Sequence, residues 1–512
     1  MTDTNDENPN GPDTNDGSSS GSETSEPDVD ADGFEDEPLR DRIASAPKPA
    51  MIWAAGFAVL VAVQFGAIAG AVVHGVPWST LLGPLPPLPG SNMVGTIGGW
   101  AADLPTLTSP DVIPNEGYYV PSAGWQGTFL GLSPAVAWGV RAVLVYVYAF
   151  TFLAWIGYAF ALHRRHYRYA DWTPRDDVLG RLRTHRWGQF GIIIVLAFVV
   201  MAVFAPALAT APVEQNIENP YTHTIEYYDE DAGEVTETTA GDANRDSQSR
   251  GGETNIGPMA YDEYDRFHPL GTMPSGQDLF TFMVFGARVS LLIGMLSLGI
   301  SGVTAAAFAL FGAYYKGALD LSFVLLSDSV QAMPRLLLLV LLSVVLADTW
   351  LGGLYSGAII LAVIFGVTGW PALWRAVRGP ALQVAEREWI DAARSYGQKP
   401  TKTMRKHMLP YILGYLLIYA SMTLGGIIVG VAGLSFLGLG VDSPTPEWGR
   451  AIDAGQNYVT TSSWHISLLP GLFIVLVVTA FNALGDGIRD AIDPQSNVGG
   501  DAEEAAAGGT GA

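Results

Sequence analysis

Glu388-Trp-Ile-Asp-Ala-Ala-Arg-Ser-Tyr-Gly397, running on to Lys406-His-Met-Leu-Pro410, is a polar stretch enclosed by two long apolar runs, 356–373 before it and 411–437 after it. A polar loop held between membrane-length segments is placed where something outside the bilayer can grip it. Read at the helical period, Ala385, Trp389, Ala392, Ala393 and Tyr396 form one apolar stripe, with Arg387, Asp391 and Arg394 opposite. Gly397 suits the left-handed residue that ends a helix, and Pro400 suits the start of the next. Ala392, Ala393 and Gly397 are small enough for a partner surface to come close to the backbone. The same pattern also describes an amphipathic helix resting on the protein's own surface.

The whole chain of 512 residues is 49% hydrophobic and 15% charged, with a mean hydropathy of +0.25. The apolar residues come in blocks near or above the ~20 residues a helix needs to cross a bilayer. Eight blocks predict spans at 51–74, 135–162, 190–208, 287–314, 319–346, 356–373, 411–437 and 466–484, an all-α integral membrane protein. An even number of crossings puts both termini on one side. Arg164, Arg165, Arg168, Arg175, Arg181, Arg183 and Arg186 crowd one loop; Arg375, Arg378, Arg387, Arg394, Lys399, Lys402, Arg405 and Lys406 crowd another. The positive-inside rule makes both loops and both termini cytoplasmic, in a multi-pass protein of the cell membrane. The first span follows an acidic stretch without a basic n-region, so it reads as retained rather than cleaved.

Composition divides the chain into five parts. Residues 1–48 are acidic, polar and nearly free of large apolar residues, which predicts a disordered cytoplasmic tail. An accessory two-span segment, 49–188, carries an external Gly/Pro-rich loop and a basic cytoplasmic loop. A core span with an acidic external loop follows at 189–269, then a transmembrane core at 270–494 containing the loop 385–410, and a second disordered tail at 495–512. The run Asp229-Glu-Asp231-Ala-Gly233 superficially suggests calcium, but it lacks the remaining positions of a calcium loop and reads as solvated acid.

With 27 basic against 50 acidic residues the net charge is −23, and lysine is confined to Lys48, Lys316, Lys399, Lys402 and Lys406. Such a surface predicts surroundings of high salt, where like charges are screened, and argues against nucleic acid as partner. There is no cysteine, hence no disulfide or thiolate chemistry. No phosphate loop, nucleophile elbow or histidine pair with metal spacing occurs, so no catalytic, cofactor-binding or metal-binding residue is assigned. Asp328 lies within an apolar block, with Pro334 close behind. A charge at a helix centre costs at least roughly 2.5–3.5 kcal/mol, so Asp328 faces a pathway or interface, or else an intramembrane ion pair. Asn482 marks a polar end to the last span. Arg141, near the start of the second, reads as snorkelling outward.

Several motifs in order carry a family resemblance. Asp391-Ala-Ala393, Gly397 and His407-Met-Leu-Pro410 resemble the cytoplasmic "EAA" loop of ABC-importer permeases. His268-Pro-Leu-Gly-Thr272, Gly276-Gln-Asp278, Gly286-Ala-Arg-Val-Ser-Leu-Leu292, Ser435-Phe-Leu-Gly-Leu-Gly440, Pro444-Thr-Pro-Glu-Trp-Gly449 and Asn482-Ala-Leu-Gly-Asp-Gly-Ile-Arg-Asp490 resemble the dipeptide/oligopeptide/nickel branch. The resemblance covers roughly residues 190–494. Met273, Gln277 and Asp391 depart from that pattern, which more often has Asp, Arg and Glu there.

The resemblance implies a six-helix permease core preceded by two extra transmembrane helices, paired as a heterodimer with a homologous second permease. It implies two ATPase subunits, holding ATP and Mg, that dock on Glu388, Asp391, Ala392, Ala393, Gly397, His407 and Pro410, and an extracellular substrate-binding protein that delivers cargo. The expected cargo is a di- or oligopeptide; nickel or another small solute fits the same architecture. Two other classes stand beside this reading. An ion-driven secondary transporter would need two repeated halves with midplane carboxylates, and a membrane scaffold would need a folded signalling domain.

Overall fold

The computed structural model describes residues 39–66, 106–168 and 174–492, and it is predominantly helical. The expected tails 1–38 and 495–512, the end of the first expected span and residues 74–105 of the Gly/Pro-rich loop lie outside the described residues. Helices α1 (Leu39–Ser45) and α2 (Pro47–Val63) meet at 101°. Residues 39–45 and 47–48, expected in the tail, are thus helical: Leu39 and Ile43 bring apolar content in, and Pro47 opens α2 where its missing N–H costs nothing.

A hairpin of β1 (Tyr118–Val120) and β2 (Gly124–Gln126) leads into α3 (Pro134–His166). Then come α4 (Pro174–Thr184), α5 (Arg186–Val203) and the single turn α6 (Ala205–Leu208). The acidic segment beyond α6 has a fold of its own. Strands β3 (Thr224–Asp229) and β4 (Glu234–Thr239) pair antiparallel, from Thr224 opposite Thr239 to Asp229 opposite Glu234. The Asp229–Gly233 run makes their turn, where Asp229 Oδ1 accepts the N–H groups of Asp231 and Ala232. Helix α7 (Ala240–Asp246) and the pair β5 (Ala260–Tyr261) and β6 (Phe267–His268) complete this cap.

The remaining chain is a helical bundle of α8 (Leu279–Tyr315), α9 (Gly317–Ala332), α10 (Arg335–Leu346), α11 (Ala358–Ala385), α12 (Glu388–Ser395), α13 (Pro400–Thr403), α14 (Leu409–Phe436), α15 (Trp448–Gly455) and α16 (His465–Ile492). A π-helical turn, Met404–Met408, joins α13 to α14. Among the described residues six helices are long and apolar enough to cross a membrane, or eight if each of two bent pairs counts as one span.

Helix α8 is the axis. Its 37 residues contain no proline, and they contribute to all three buried apolar clusters: Leu279–Ala287 to one, Val289 and Ile293 to a second, Ala305–Ala313 to the third. Ile300 meets Gly366, Ser301 meets Gly369 and Phe308 meets Trp370, so α8 and α11 run side by side in the same direction. The chain returns between them through α9 and α10. Expected as one span over 319–346, this return is two helices bent by 86° at Met333-Pro334. Proline has no N–H to continue a helix and forces the residue before it out of helical geometry, and Met333 is extended at ψ 136.

Glycine brings α5 and α16 together. A methyl group on Gly191 would meet the backbone of Ala480, Ala483 and Leu484, and Gly188 lies against Gly487. Close approach of small residues is how helices associate in lipid, where no hydrophobic drive separates them from the solvent. The accessory helix α2 is clasped to α3 by a reciprocal pair of bonds, Trp53 Nε1 to Trp155 O and Trp155 Nε1 to Trp53 O, both 3.1 Å.

The α5–α16 crossing leads to a prediction. Gly191→Leu should destabilise the folded chain by roughly 1–3 kcal/mol of overpacking and lower its melting temperature in detergent. Gly139→Leu, where an added Cβ meets nothing within 4 Å, should leave it unchanged.

Candidate functional site

The polar loop lies at the basic end of the bundle, and its base is built by α11. That helix does not stop at residue 373 but runs to Ala385, so Arg375 and Arg378, expected in the loop, belong to its last turns. A two-residue link leads to α12, whose first turn carries Glu388 and Asp391 where the helix dipole favours acids. Ile390 is the anchor. It is fully buried among Val384, Ala385, Met404 and Met408, a position the expected apolar stripe omitted.

The stripe itself divides. Ala385 is buried at the end of α11, whereas Trp389 is 50% and Tyr396 92% exposed, Ala392 is exposed and Ala393 half-buried. The reason is angular: with Ile390 facing the bundle, residues 389, 392 and 396 are rotated away from it. The outward face of α12 therefore presents two aromatic rings and a small residue to solvent, while polar Arg394 turns partly inward.

Gly397 ends the helix at φ +70, donating its N–H to Arg394 O at 2.9 Å while Gln398 donates to Ala393 O at 3.0 Å, a Schellman closure. A Cβ added at 397 would meet nothing within 4 Å. Pro400 opens α13, and Thr403 Oγ1 donates back to Gln398 Oε1 at 2.9 Å, tying the turn. His407 is half-buried in the π turn, flanked by buried Met404 and Met408, and Pro410 is exposed in the first turn of α14. Glu388, Asp391, Ala392, Ala393 and Gly397 thus share one short helix and its end, with His407 and Pro410 on the following segment.

Behind the loop stands a set of ion pairs that the sequence reading did not assemble. Lys316 Nζ lies 3.3 Å from Glu386, Arg378 Nε donates to Asp320 Oδ1 at 2.9 Å, and Arg375 pairs with Asp328. Arg394 lies 4.3 Å over the Tyr314 ring and donates to Tyr314 O at 3.0 Å. The structure thus places Asp328 in an ion pair between α9 and α11, with Pro334 at the joint below it. Asn482 is exposed on α16, and no hydrogen bond or ion pair joins it to either, among the described residues.

The opposite, acidic end holds a buried polar network. His268 donates through Nδ1 to Asp278 Oδ2 at 2.9 Å and through Nε2 to Asp262 Oδ2 at 3.3 Å. Asp262 also accepts Arg266 Nε at 2.7 Å and Ser247 Oγ at 2.8 Å. Asp278 caps α8, accepting the Thr281 N–H at 2.6 Å and the Thr210 hydroxyl at 2.7 Å. Burial opposes charge on His268, but its hydrogen bonds to Asp262 and Asp278 hold its pKa above the ordinary histidine value. Burial would likewise raise Asp262, yet Arg266, His268 and Ser247 keep its carboxyl well below the ordinary range. The network borders a cavity of about 270 Å³ also lined by Asn115, Glu116 and Asn216.

His268 and Asp278 were legible as motif residues. They bond each other, but Thr210 and Ser247 join from farther up the chain, so local spacing did not announce the network as a whole. Arg141 corrects an expectation: it is fully buried instead of snorkelling, donating to Ile113 O at 2.9 Å and Ala209 O at 2.6 Å. Two chain segments fold over it and offer carbonyls that replace water.

Two family descriptions match this chain. Residues 301–498 match the binding-protein-dependent transport system inner membrane component, and residues 173–224 match the N-terminal TM domain of oligopeptide transport permease C. A dipeptide transport system permease protein of Bacillus subtilis is 30% identical over 342 residues, 66% of this chain and 92% of that protein. The chain belongs to the binding-protein-dependent transport permeases. A dipeptide permease of Alkalihalophilus pseudofirmus is 29% identical over 328 residues (64% of this chain, 92% of that protein). A glutathione transport system permease protein of Shigella dysenteriae is 30% identical over 323 residues (63% and 91%). The permease is accordingly a multi-pass transport subunit of an ABC importer.

The acidic-end network predicts a pH window. His268, with its pKa raised, contributes fully below about 6.5 and loses that contribution as pH rises through its folded value; Asp262, with its pKa lowered, contributes above about 3.9 and loses it as pH falls. Hydrogen-exchange protection across residues 244–281, corrected for intrinsic rate, should therefore be highest between roughly pH 4 and 6.5. His268→Leu, which leaves two buried carboxylates facing one another, should cost about 3–5 kcal/mol and abolish the alkaline limb.

Proposed function

We propose that the permease forms the translocation pathway for di- or oligopeptides and is driven by ATPase subunits that grip the loop 385–410. The observation that carries this is the exposed face of α12. Trp389, Ala392, Tyr396 and Gly397 project from a short helix whose other side is locked by Ile390, a rigid handle with an uncovered aromatic surface. Exposed aromatics around small residues fit insertion into a groove on a partner. The Arg and Lys concentration at this end makes it cytoplasmic, which puts the acidic cap on the side where a substrate-binding protein would arrive. Both termini are then cytoplasmic as well.

The peptide cargo rests on the relatives, which are named for dipeptides and glutathione. In the proposed cycle a second, homologous permease completes the pathway. Closure of two ATP-loaded subunits pushes the α12 handles, and the bundle passes between inward-open and outward-open arrangements. Reversing a 1:99 population requires about 5.5 kcal/mol of differential binding. A handle anchored by a buried isoleucine and followed by a tied turn transmits such a load without folding away.

Gly397 makes a sharp test, because it is exposed and a Cβ added there meets no other part of the chain within 4 Å. Gly397→Arg should cost the permease itself about 1–2 kcal/mol for left-handed backbone and leave it inserted, yet reduce ATP-dependent peptide uptake by tenfold or more in the assembled importer. Ala392→Glu, on the same face, should do likewise. Uptake at the unmodified rate in both variants would sink the docking assignment.

A further inference from the structure

The cytoplasmic end of α8 is held by a residue of the loop that is proposed to dock. The last carbonyls of a helix have no partner within it and carry the negative end of its dipole. At the end of α8, the N–H of Lys316 takes Gly312 O at 2.8 Å, and the carbonyl of Tyr314 is taken by Arg394 of α12 at 3.0 Å. The same guanidinium lies over the Tyr314 ring at 4.3 Å and is steadied by Asp391 at 3.5 Å. Lys316 and Glu386 add a second bond between the same two pieces of chain, at 3.3 Å.

The other end of α8 is fixed as firmly. Asp278 caps it while bonded to His268, Thr210 and Thr281 inside the buried network. Between these ends run 37 residues without a proline, about 55 Å at 1.5 Å per residue. The neighbouring α11 and α16 both contain interior prolines.

We infer that Arg394 is a positioning residue that makes α8 move with the docking helix, so that nucleotide-driven motion at the cytoplasmic face reaches the extracytoplasmic cap through α8. The role assigned to Arg394 is to grip the carbonyl and ring of Tyr314. This rests on the docking reading above, and the experiment keeps the two apart.

The chain has no cysteine, so Ser275→Cys, at an exposed position just before α8, gives a single reporter at the far end of the helix. The full importer is assembled with its partner subunits, and maleimide modification of this chain is timed with and without ATP and vanadate. Without Arg394 changes, the modification rate should shift at least threefold on nucleotide trapping. In Arg394→Ala the shift should vanish while the ATPase subunits still co-purify, and Arg394→Lys, which keeps a cation for the Tyr314 carbonyl, should restore part of it. A full shift in Arg394→Ala, or no shift with Arg394 in place, would overturn the inference, as would loss of the ATPase subunits in Arg394→Ala, which would make Arg394 a docking residue. Failure of any ATPase to co-purify with the unaltered permease would instead overturn the docking reading.

Discussion

Packing of α8 against its neighbours is the constraint on which the rest of the permease depends. A 37-residue apolar helix has to be covered along its length, and three separate clusters do so with different partners. Near Leu279–Ala287 the partners are α5, α15 and α16, with Trp448 donating from its indole to Met283 O at 2.8 Å and resting where Gly286 leaves room. Around Val289 and Ile293 they come from α10, α11 and α14. Around Ala305–Ala313 they are α11, the loop anchor Ile390 and the methionines of the π turn. The loop 385–410 is therefore an extension of the core at one end of α8, as the acidic cap is at the other.

The two ends use different chemistry because they solve different problems. At the acidic end, two carboxylates and a histidine are buried together, a costly arrangement unless every group is paired. Arg266, Ser247, Thr210 and the α8 N-terminus supply those pairs. At the basic end the ion pairs are partly solvated: Asp328 and Arg375 each keep about half of their side-chain surface exposed. Exposed pairs are weak and salt-dependent, so they suit contacts that are remade, whereas the buried network suits a part that holds its shape.

Much of this architecture was legible in the sequence. Apolar blocks located the spans of the bundle, because hydropathy over twenty residues is insensitive to detail. Gly397 declared its left-handed turn, because few other residues tolerate one. What escaped depended on the third dimension. Pro334 was visible, but averaging over an apolar run hid an 86° break. Ile390 went unremarked beside the more conspicuous Trp389 and Tyr396, and which of them is buried is set by how α11 delivers the chain. Arg141 takes its partners from 28 and 68 residues away, and Thr210 joins the His268 network from 68 residues before Asp278, so no spacing rule points to either arrangement as a whole.

The joint at Met333-Pro334 has a mechanical consequence. Leu338 donates to the carbonyl of Pro334 and Met333 to that of Val330, and among the described residues no backbone hydrogen bond bridges the two helices. The angle between α9 and α10 can change without breaking a backbone hydrogen bond. α9 is bonded to the last turns of α11 by ion pairs while α10 packs near its beginning, so the joint separates two differently anchored helices. The break is confined to one proline-marked corner, so neither the ion pairs of α9 nor the apolar packing of α10 depends on a continuous helix through it.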